Sequence, residues 1–268
     1  MIRTRVLAAA HVSDALAREA WDLRLRHVAL RPEVDPDEDL ARFTSYLRAA
    51  GGRLATARDA AGALRGTLHM RSVRTRVEGR SVSVAVPEYG FVDEVLRGTN
   101  WIGFAAARLM VGHVLRNVGR ELYLGNAAYL PSWLALRRHV PRADVFVLGD
   151  AGLPRRQERV LRWLGAELWG AGLDEDRALV RLSTQPRAAQ REPRARSREA
   201  MADYLARNPD WRDGWGIMMV VRTGPLRFLR HLASPVRDSL SRMRAPGASA
   251  RPRPPVAVRT APPGAPAP

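Results

Sequence analysis

The stretch from Val82 to Pro141 constrains this chain more than any other. A strand-like run from Val82 is interrupted by Pro87, and the pairing strand proper is expected over Glu88 to Val92. A turn containing Arg97 and Gly98 follows, and Asn100 then stands where a helix cap belongs. The apolar periodicity predicts a helix from Trp101 to Val118, closed by Gly119. Leu122 to Leu124 reads as a buried strand, and Pro131 suits the first turn of a helix over Ser132 to His139. A strand that feeds a glycine-containing turn at a helix start leaves backbone N–H groups pointing outward. The helix dipole favours an anion at such a point, and phosphate is the common occupant.

The flanking segments read as alternating elements. Ile2 to Ala8 is a first strand. Ser13 caps a helix expected to run to about Leu30, and Pro36 opens a second with acidic residues in its first turn. Leu40, Phe43, Tyr46 and Leu47 form the apolar stripe of that second helix, which Gly51-Gly52 ends. Arg53–Arg58 and Leu64–Met70 form a hairpin. Residues 71–81 are Arg-rich and irregular, with a hairpin tip at Glu78-Gly79. Strands over Asp144–Leu148 and Arg177–Leu182 flank an amphipathic helix over Pro154–Leu168. A polar linker covers 185–198, and a C-terminal helical extension covers 199–244. It holds a helix at 198–207, the apolar run Ile217–Val221 and a basic amphipathic helix over Leu226–Met243. Residues 245–268 are rich in Pro, Ala and Arg and are expected to be disordered.

Composition narrows the chemistry. All 44 basic residues are Arg, and the formal charge is +17. Arg at this frequency, beside abundant Ala, Gly and Pro, fits a GC-rich coding bias, so the charge is discounted as a marker of nucleic-acid binding. The excess is heaviest beyond residue 186, where few aromatics are interleaved. There is no Cys, which excludes disulfides, thiol nucleophiles and thiolate metal sites. The His residues show no metal-ligand spacing, so no metal is expected. The N-terminus has too short an apolar run for a signal peptide, and no segment approaches a membrane span. A cytoplasmic protein is expected.

Two segments carry a family resemblance. Phe91-Val-Asp-Glu-Val-Leu-Arg-Gly-Thr-Asn-Trp-Ile-Gly is similar to the strand, Arg/Gln-x-x-Gly-x-Gly/Ala turn and helix of the GCN5-related N-acetyltransferases (GNAT). Leu124-Gly-Asn-Ala-Ala-Tyr resembles that family's strand-then-Asn segment. The resemblance covers residues 1–150 and extends toward 184. It implies an α/β (α+β) fold, with a mixed, mostly antiparallel central sheet flanked by helices, in a domain over 1–184. It also implies an acyl donor, acetyl-CoA or another acyl-CoA, whose pyrophosphate rests on Arg97, Gly98, Thr99, Asn100 and Gly103. Val92 and Asn126 would border the pantetheine, which would lie between strands at about 88–93 and 122–126. Asn126 is alternatively a cap of the following helix. From Arg97, however, the next family glycine falls on Asn100 and the following small residue on Ile102. The family's tyrosine position falls on Trp133, with Tyr129 nearby but out of register.

Glu88, Asp93 and Glu94 are candidate bases for an attacking amine. Glu88 is preferred because it begins the strand beside the turn. Tyr129 is the candidate acid. The function expected is transfer of an acyl group directly to a small-molecule or peptide amine. An acyl carrier protein is a further candidate partner, since such carriers are acidic and this surface is basic. The alternatives are a GNAT-like module without catalysis and, ranked last, a basic binder of nucleic acid or membrane surfaces. Trp211, Trp215, Met218 and Met219 read as a patch docking the C-terminal segment on the main domain.

Overall fold

The computed structural model describes residues 2–97, 99–186, 198–224 and 227. Its elements are β1 (Arg3–Ala8), α1 (Asp14–Leu25), β2 (Val28–Leu30), α2 (Pro36–Leu47), β3 (Gly52–Arg58), β4 (Leu64–Val77) and β5 (Arg80–Val92). There follow α3 (Trp101–Arg116), β6 (Glu121–Ala128), α4 (Leu130–His139), β7 (Val145–Val147), α5 (Arg155–Leu168) and β8 (Leu173–Asp174). The chain then adds β9 (Leu179–Arg181), β10 (Thr184–Pro186), α6 (Arg198–Arg207) and β11 (Trp215–Thr223).

Local signals account for many of these boundaries. The Ser13 hydroxyl accepts from the Leu16 amide at 3.2 Å and starts α1, which ends at Leu25, short of the expected Leu30. Residues Val28–Leu30 instead pair with β10 as a small second sheet. Asp35 caps α2 through the amides of Asp37 and Glu38. The Arg-rich stretch expected to be irregular forms the long arms of β4 and β5. Their turn does fall at Glu78-Gly79, where both residues take positive φ (51° and 77°). Two consecutive left-handed residues suit the right-handed twist of a tight hairpin.

The main sheet has nine strands in the order β1-β3-β4-β5-β6-β11-β9-β8, with β7 also paired to β11. Only β5 and β6 run parallel; the other pairs are antiparallel. Strand alternation divides the core between the two faces of the sheet. On one face, α3 covers Leu68, Met70, Ala85 and Leu122, and α4 and α6 cover Ile217, Met219 and Val221. On the other face, α5 covers Val84, Val86 and Tyr123, and α1 and α2 cover Leu54 and Leu64.

The C-terminal region departs from expectation. Within the extension expected to be helical over 199–244, the described residues hold the helix Arg198–Arg207 and a 3-10 turn over Trp211–Asp213 before the chain turns to strand. Trp215–Thr223 is a strand in the middle of the sheet, pairing with β6, β7 and β9. Its unbroken apolar run reflects burial on both faces, a pattern shared by core strands and buried helices. Met218 and Met219 point into opposite core clusters rather than forming one docking patch. The linker residues 187–197, the tail 245–268 and, apart from Arg227, the basic helix expected over 226–243 lie outside the described residues.

Candidate functional site

The site begins where two strands part. β5 and β6 pair from Val82↔Glu121 to Ala85↔Leu124 and no further. β5 continues along β4 to Val92, and β6 continues along β11 to Ala128. Pro87 lies two residues past the last β5–β6 pair. Proline has no N–H and is confined to strand positions with an open edge, so the expected interruption becomes the point of divergence rather than a strand end. An irregularity then re-aims β5. His69 pairs with Glu88 and Thr67 with Phe91, leaving Tyr89 and Gly90 opposite Leu68 alone. Tyr89 takes φ 53°, and its carbonyl accepts from the Thr67 hydroxyl at 3.2 Å. This is a β-bulge, which bends a strand and redirects its side chains.

Glu88 stands three residues past the last β5–β6 pair, half-buried. Burial pushes its carboxyl up from 4.5 to about 7, against the opposing pull of Tyr46, Arg71 and Arg24. The Tyr46 hydroxyl lies close enough to favour the charged form, yet it makes no hydrogen bond of good geometry. The Tyr46 ring meets His69 edge-on at 5.1 Å and Tyr89 at 5.4 Å. His69 is fully buried, and neither ring nitrogen has a hydrogen-bond partner. Burial, aided by the charge of Arg71, holds its pKa down to about 3, so the ring is neutral. Gly52 makes room for it, since a Cβ there would lie 2.8 Å from His69 Nε2.

A buried ion pair supports this cluster. Arg24 donates to Asp39 at 2.6 Å and to the Ser183 hydroxyl at 2.9 Å, while the Trp21 indole donates to Asp39 at 2.8 Å. Burial works to raise the Asp39 pKa, but the Arg24 contact and charge bring it below the usual carboxylate value. The Arg24 guanidinium also lies 5.3 Å over Phe43 and 5.4 Å over Tyr89. Tyr129 belongs to the same neighbourhood. Its hydroxyl donates to the Thr184 carbonyl and lies 3.1 Å from the Thr184 hydroxyl. Burial pushes its pKa up to about 12.

The other expected residues separate clearly. Asp93 caps a short 3-10 turn over Glu94–Leu96 and pairs with Arg65 at 2.8 Å, which holds its carboxyl low. Glu94 is exposed and pairs with Arg97 at 3.2 Å. Asn126 lies inside β6 opposite Met219 and does not cap α4, whose cap position is Tyr129. Val92 pairs with Gly66 and packs against the α3 cluster. Gly98 lies outside the described residues.

At the mouth of α3, the Trp101 indole turns inward, donating to Thr4 at 3.0 Å and packing against Gly66. It therefore does not cover the helix start. The Thr99 hydroxyl donates to the Leu96 carbonyl at 2.7 Å and accepts from the Trp101 amide at 3.4 Å. The Asn100 side chain lies against Gly103, where an added Cβ would meet its Oδ1 at 2.5 Å. No acid stands in the first turn of α3, and Arg97 is exposed beside it. The Trp101 amide is thus already paired within the chain, and the Arg97 guanidinium is engaged by the exposed Glu94 carboxylate.

The element order is the one the resemblance implies: two helices, a hairpin, a strand entering the turn, a long helix, then a strand diverging from its neighbour. The fold is α/β, with a mixed, mostly antiparallel sheet flanked by helices, as expected. Among solved structures, the chain is similar to a predicted acetyltransferase with acetyl-CoA from Clostridium acetobutylicum. Identity there is 14%, over 53% of this chain and 90% of that one, with a TM-score of 0.41. It is also similar to an acetyltransferase from Trypanosoma brucei (17% identity, 53% and 93% coverage, TM-score 0.38). A third is an aminoglycoside 6′-N-acetyltransferase from Acinetobacter baumannii (18%, 58% and 94%, TM-score 0.36). No family model matches the chain, and no curated protein matches it.

Sequence reading missed Tyr46, His69, Arg24 and Asp39. Tyr46 was legible only as part of an apolar stripe, and Asp39 only as a helix-start acid. No local signal joins them, because His69 meets Glu88 through strand register and Arg24 meets Ser183 across 159 residues. Among the described residues, no group of His, Asp and Glu is suited to hold a metal, and no helix is long and apolar enough to cross a membrane.

Proposed function

We propose that the protein is an acyl-CoA-dependent N-acyltransferase that passes an acyl group directly to an amine. The observation that carries this reading is Glu88, a carboxyl raised to about 7 at the point where β5 leaves β6. A general base works best when its pKa lies near the operating pH, and a positioned base contributes roughly 10²–10⁴-fold to rate. Glu88 takes the proton that an attacking ammonium must lose, directly or through one water. Arg71 and Tyr46 lie near enough to stabilise its charged form. The bound acyl-CoA supplies an activated thioester carbonyl and a thiolate leaving group. The first-turn amides of α3 after that of Trp101, with Thr99, Asn100, Gly103 and the side chain of Arg97 released from Glu94, are assigned to its pyrophosphate. The gap beyond Ala85 and Leu124, bordered by Val92 and Asn126, is assigned to its pantetheine. Tyr129 keeps its proton at neutral pH, so it remains the assigned donor to the departing thiolate, after exchanging its bond to Thr184. Acetyl and longer acyl groups, and a donor carried on an acidic carrier protein, are all compatible with this assignment.

Thermal unfolding with CoA, acetyl-CoA and a long-chain acyl-CoA tests donor binding, since a ligand held by the folded state alone raises the midpoint. At least one of the three is expected to do so, and the increase should shrink in Arg97→Ala. If none shifts the midpoint, the acyltransferase reading fails. With a responding donor and a panel of amines, Glu88→Gln should lower kcat by roughly 10²-fold or more while leaving donor binding intact.

A further inference from the structure

The described residues include seven exposed large hydrophobic side chains. Five of them, Ile102, Phe104, Val111, Leu115 and Val118, lie on α3 or within two residues of its end, and Val95 lies in the 3-10 turn that precedes it. Scattered surface hydrophobics are ordinary, but such concentration on one element marks an interaction face. Phe104, Val111 and Leu115 recur at helical spacing and make one stripe, with exposures of 64%, 44% and 70%, and Val118, 77% exposed, follows two residues after the helix. The opposite side of the same helix packs on the sheet through Trp101, Ala105, Leu109 and Met110.

The charge around the stripe has one sign. From Trp101 to Arg120 there is no acidic residue. Arg108 is exposed within the stripe. Arg116 lies beside it, with its guanidinium folded back over Gly112. Near the C-terminal end of α3, partial burial and then the nearby charges of Arg53 and Arg74 disfavour the protonated form of Arg116. Arg74 is held there by the Asn117 side chain at 3.0 Å. A second copy of this face would bring arginine against arginine. The chain's own residues after 224 hold many Arg and the single acid Asp238, so they match it no better.

We propose that the outer face of α3, with Arg108, Arg116 and their neighbours Arg53 and Arg74, docks on an anionic lipid surface. Exposed apolar side chains bordered by arginines on one helix suit a plane of anionic headgroups over acyl chains. Apolar side chains of such a helix enter the boundary of headgroups and acyl chains, while arginines reach the phosphates. Basic side chains near the surface add attraction that salt weakens. The proposal does not depend on the acyltransferase reading.

Co-sedimentation of the full chain with vesicles tests it. Binding is expected to phosphatidylcholine vesicles containing phosphatidylglycerol, and not to phosphatidylcholine alone. Phe104→Ser with Leu115→Ser should weaken that binding by about tenfold or more, given the apolar area withdrawn. Arg108→Gln with Arg116→Gln should weaken it and flatten its salt dependence. Both pairs are at the surface, and an unchanged thermal midpoint verifies that the variants fold. Three results would overturn the proposal. One is undiminished vesicle binding in both variants, which moves binding to the arginines beyond residue 224. Another is a dimer in sedimentation velocity that the apolar variant dissociates, which assigns the face to a second copy. The last is no vesicle binding beside α3-dependent binding to an acidic carrier protein.

Discussion

Glu88 and His69 face each other across one strand pair, and burial moves their pKa values in opposite directions. For Glu88 the folded value, about 7, exceeds the unfolded 4.5. The folded state therefore holds a proton that the unfolded chain has lost across that window. Its contribution to stability is present below pH 4.5, falls as pH rises toward 7 and is gone above it. Glu88→Gln should remove this slope, making the variant the more stable protein at pH 8 by up to about 3 kcal/mol. Urea unfolding at pH 5 and pH 8 checks the sign. His69 acts in reverse: its folded pKa of about 3 lies below the ordinary 6.5, so stability is lost as pH falls from 6.5 toward 3. His69→Leu should flatten the acid limb of the same curve. Asp39→Asn leaves the buried Arg24 charge without its partner and should cost about 3–5 kcal/mol in urea unfolding.

At the scale of elements, the segment around Thr184 spans the gap in the sheet. β10 pairs with β2, Arg24 reaches Ser183, and Tyr129 reaches Thr184. Gly214 permits this arrangement, with φ 87° and a hypothetical Cβ only 2.6 Å from the Thr184 carbonyl. Gly214→Ala therefore combines backbone strain with a steric clash, and a loss of about 1–3 kcal/mol is expected in thermal unfolding. Ser13→Ala is a calibrating contrast: it removes one cap contact and should cost about 1 kcal/mol. The element signals that were legible in sequence are of this local kind. Ser13 and Glu78-Gly79 each act on neighbouring backbone and stand at the start and turn expected of them, whereas α3 ends at Arg116, before Val118 and Gly119.

For the whole molecule, the position of β11 governs how the chain can be divided. It lies between β6 and β9 and also pairs with β7, so the sheet is incomplete without residues beyond 214. Truncation after residue 198 should abolish cooperative unfolding and expose core surface to a hydrophobic dye. Truncation after residue 244 should leave the thermal midpoint unchanged.

The sequence alone was enough for the α/β class and for the strand–turn–helix–strand run from Val82. Those features depend on periodicity, caps and turn residues, which act over a few positions. Tertiary structure decided the placement of β11, the divergence of β5 from β6 and the company around Glu88. These depend on pairings between distant segments, such as His69 with Glu88 and Met219 with Asn126. A buried apolar strand and a buried helix share the same local composition, so only the available sheet edge selects between them. The same burial raises the Glu88 pKa, and burial belongs to the folded chain rather than to any stretch of residues.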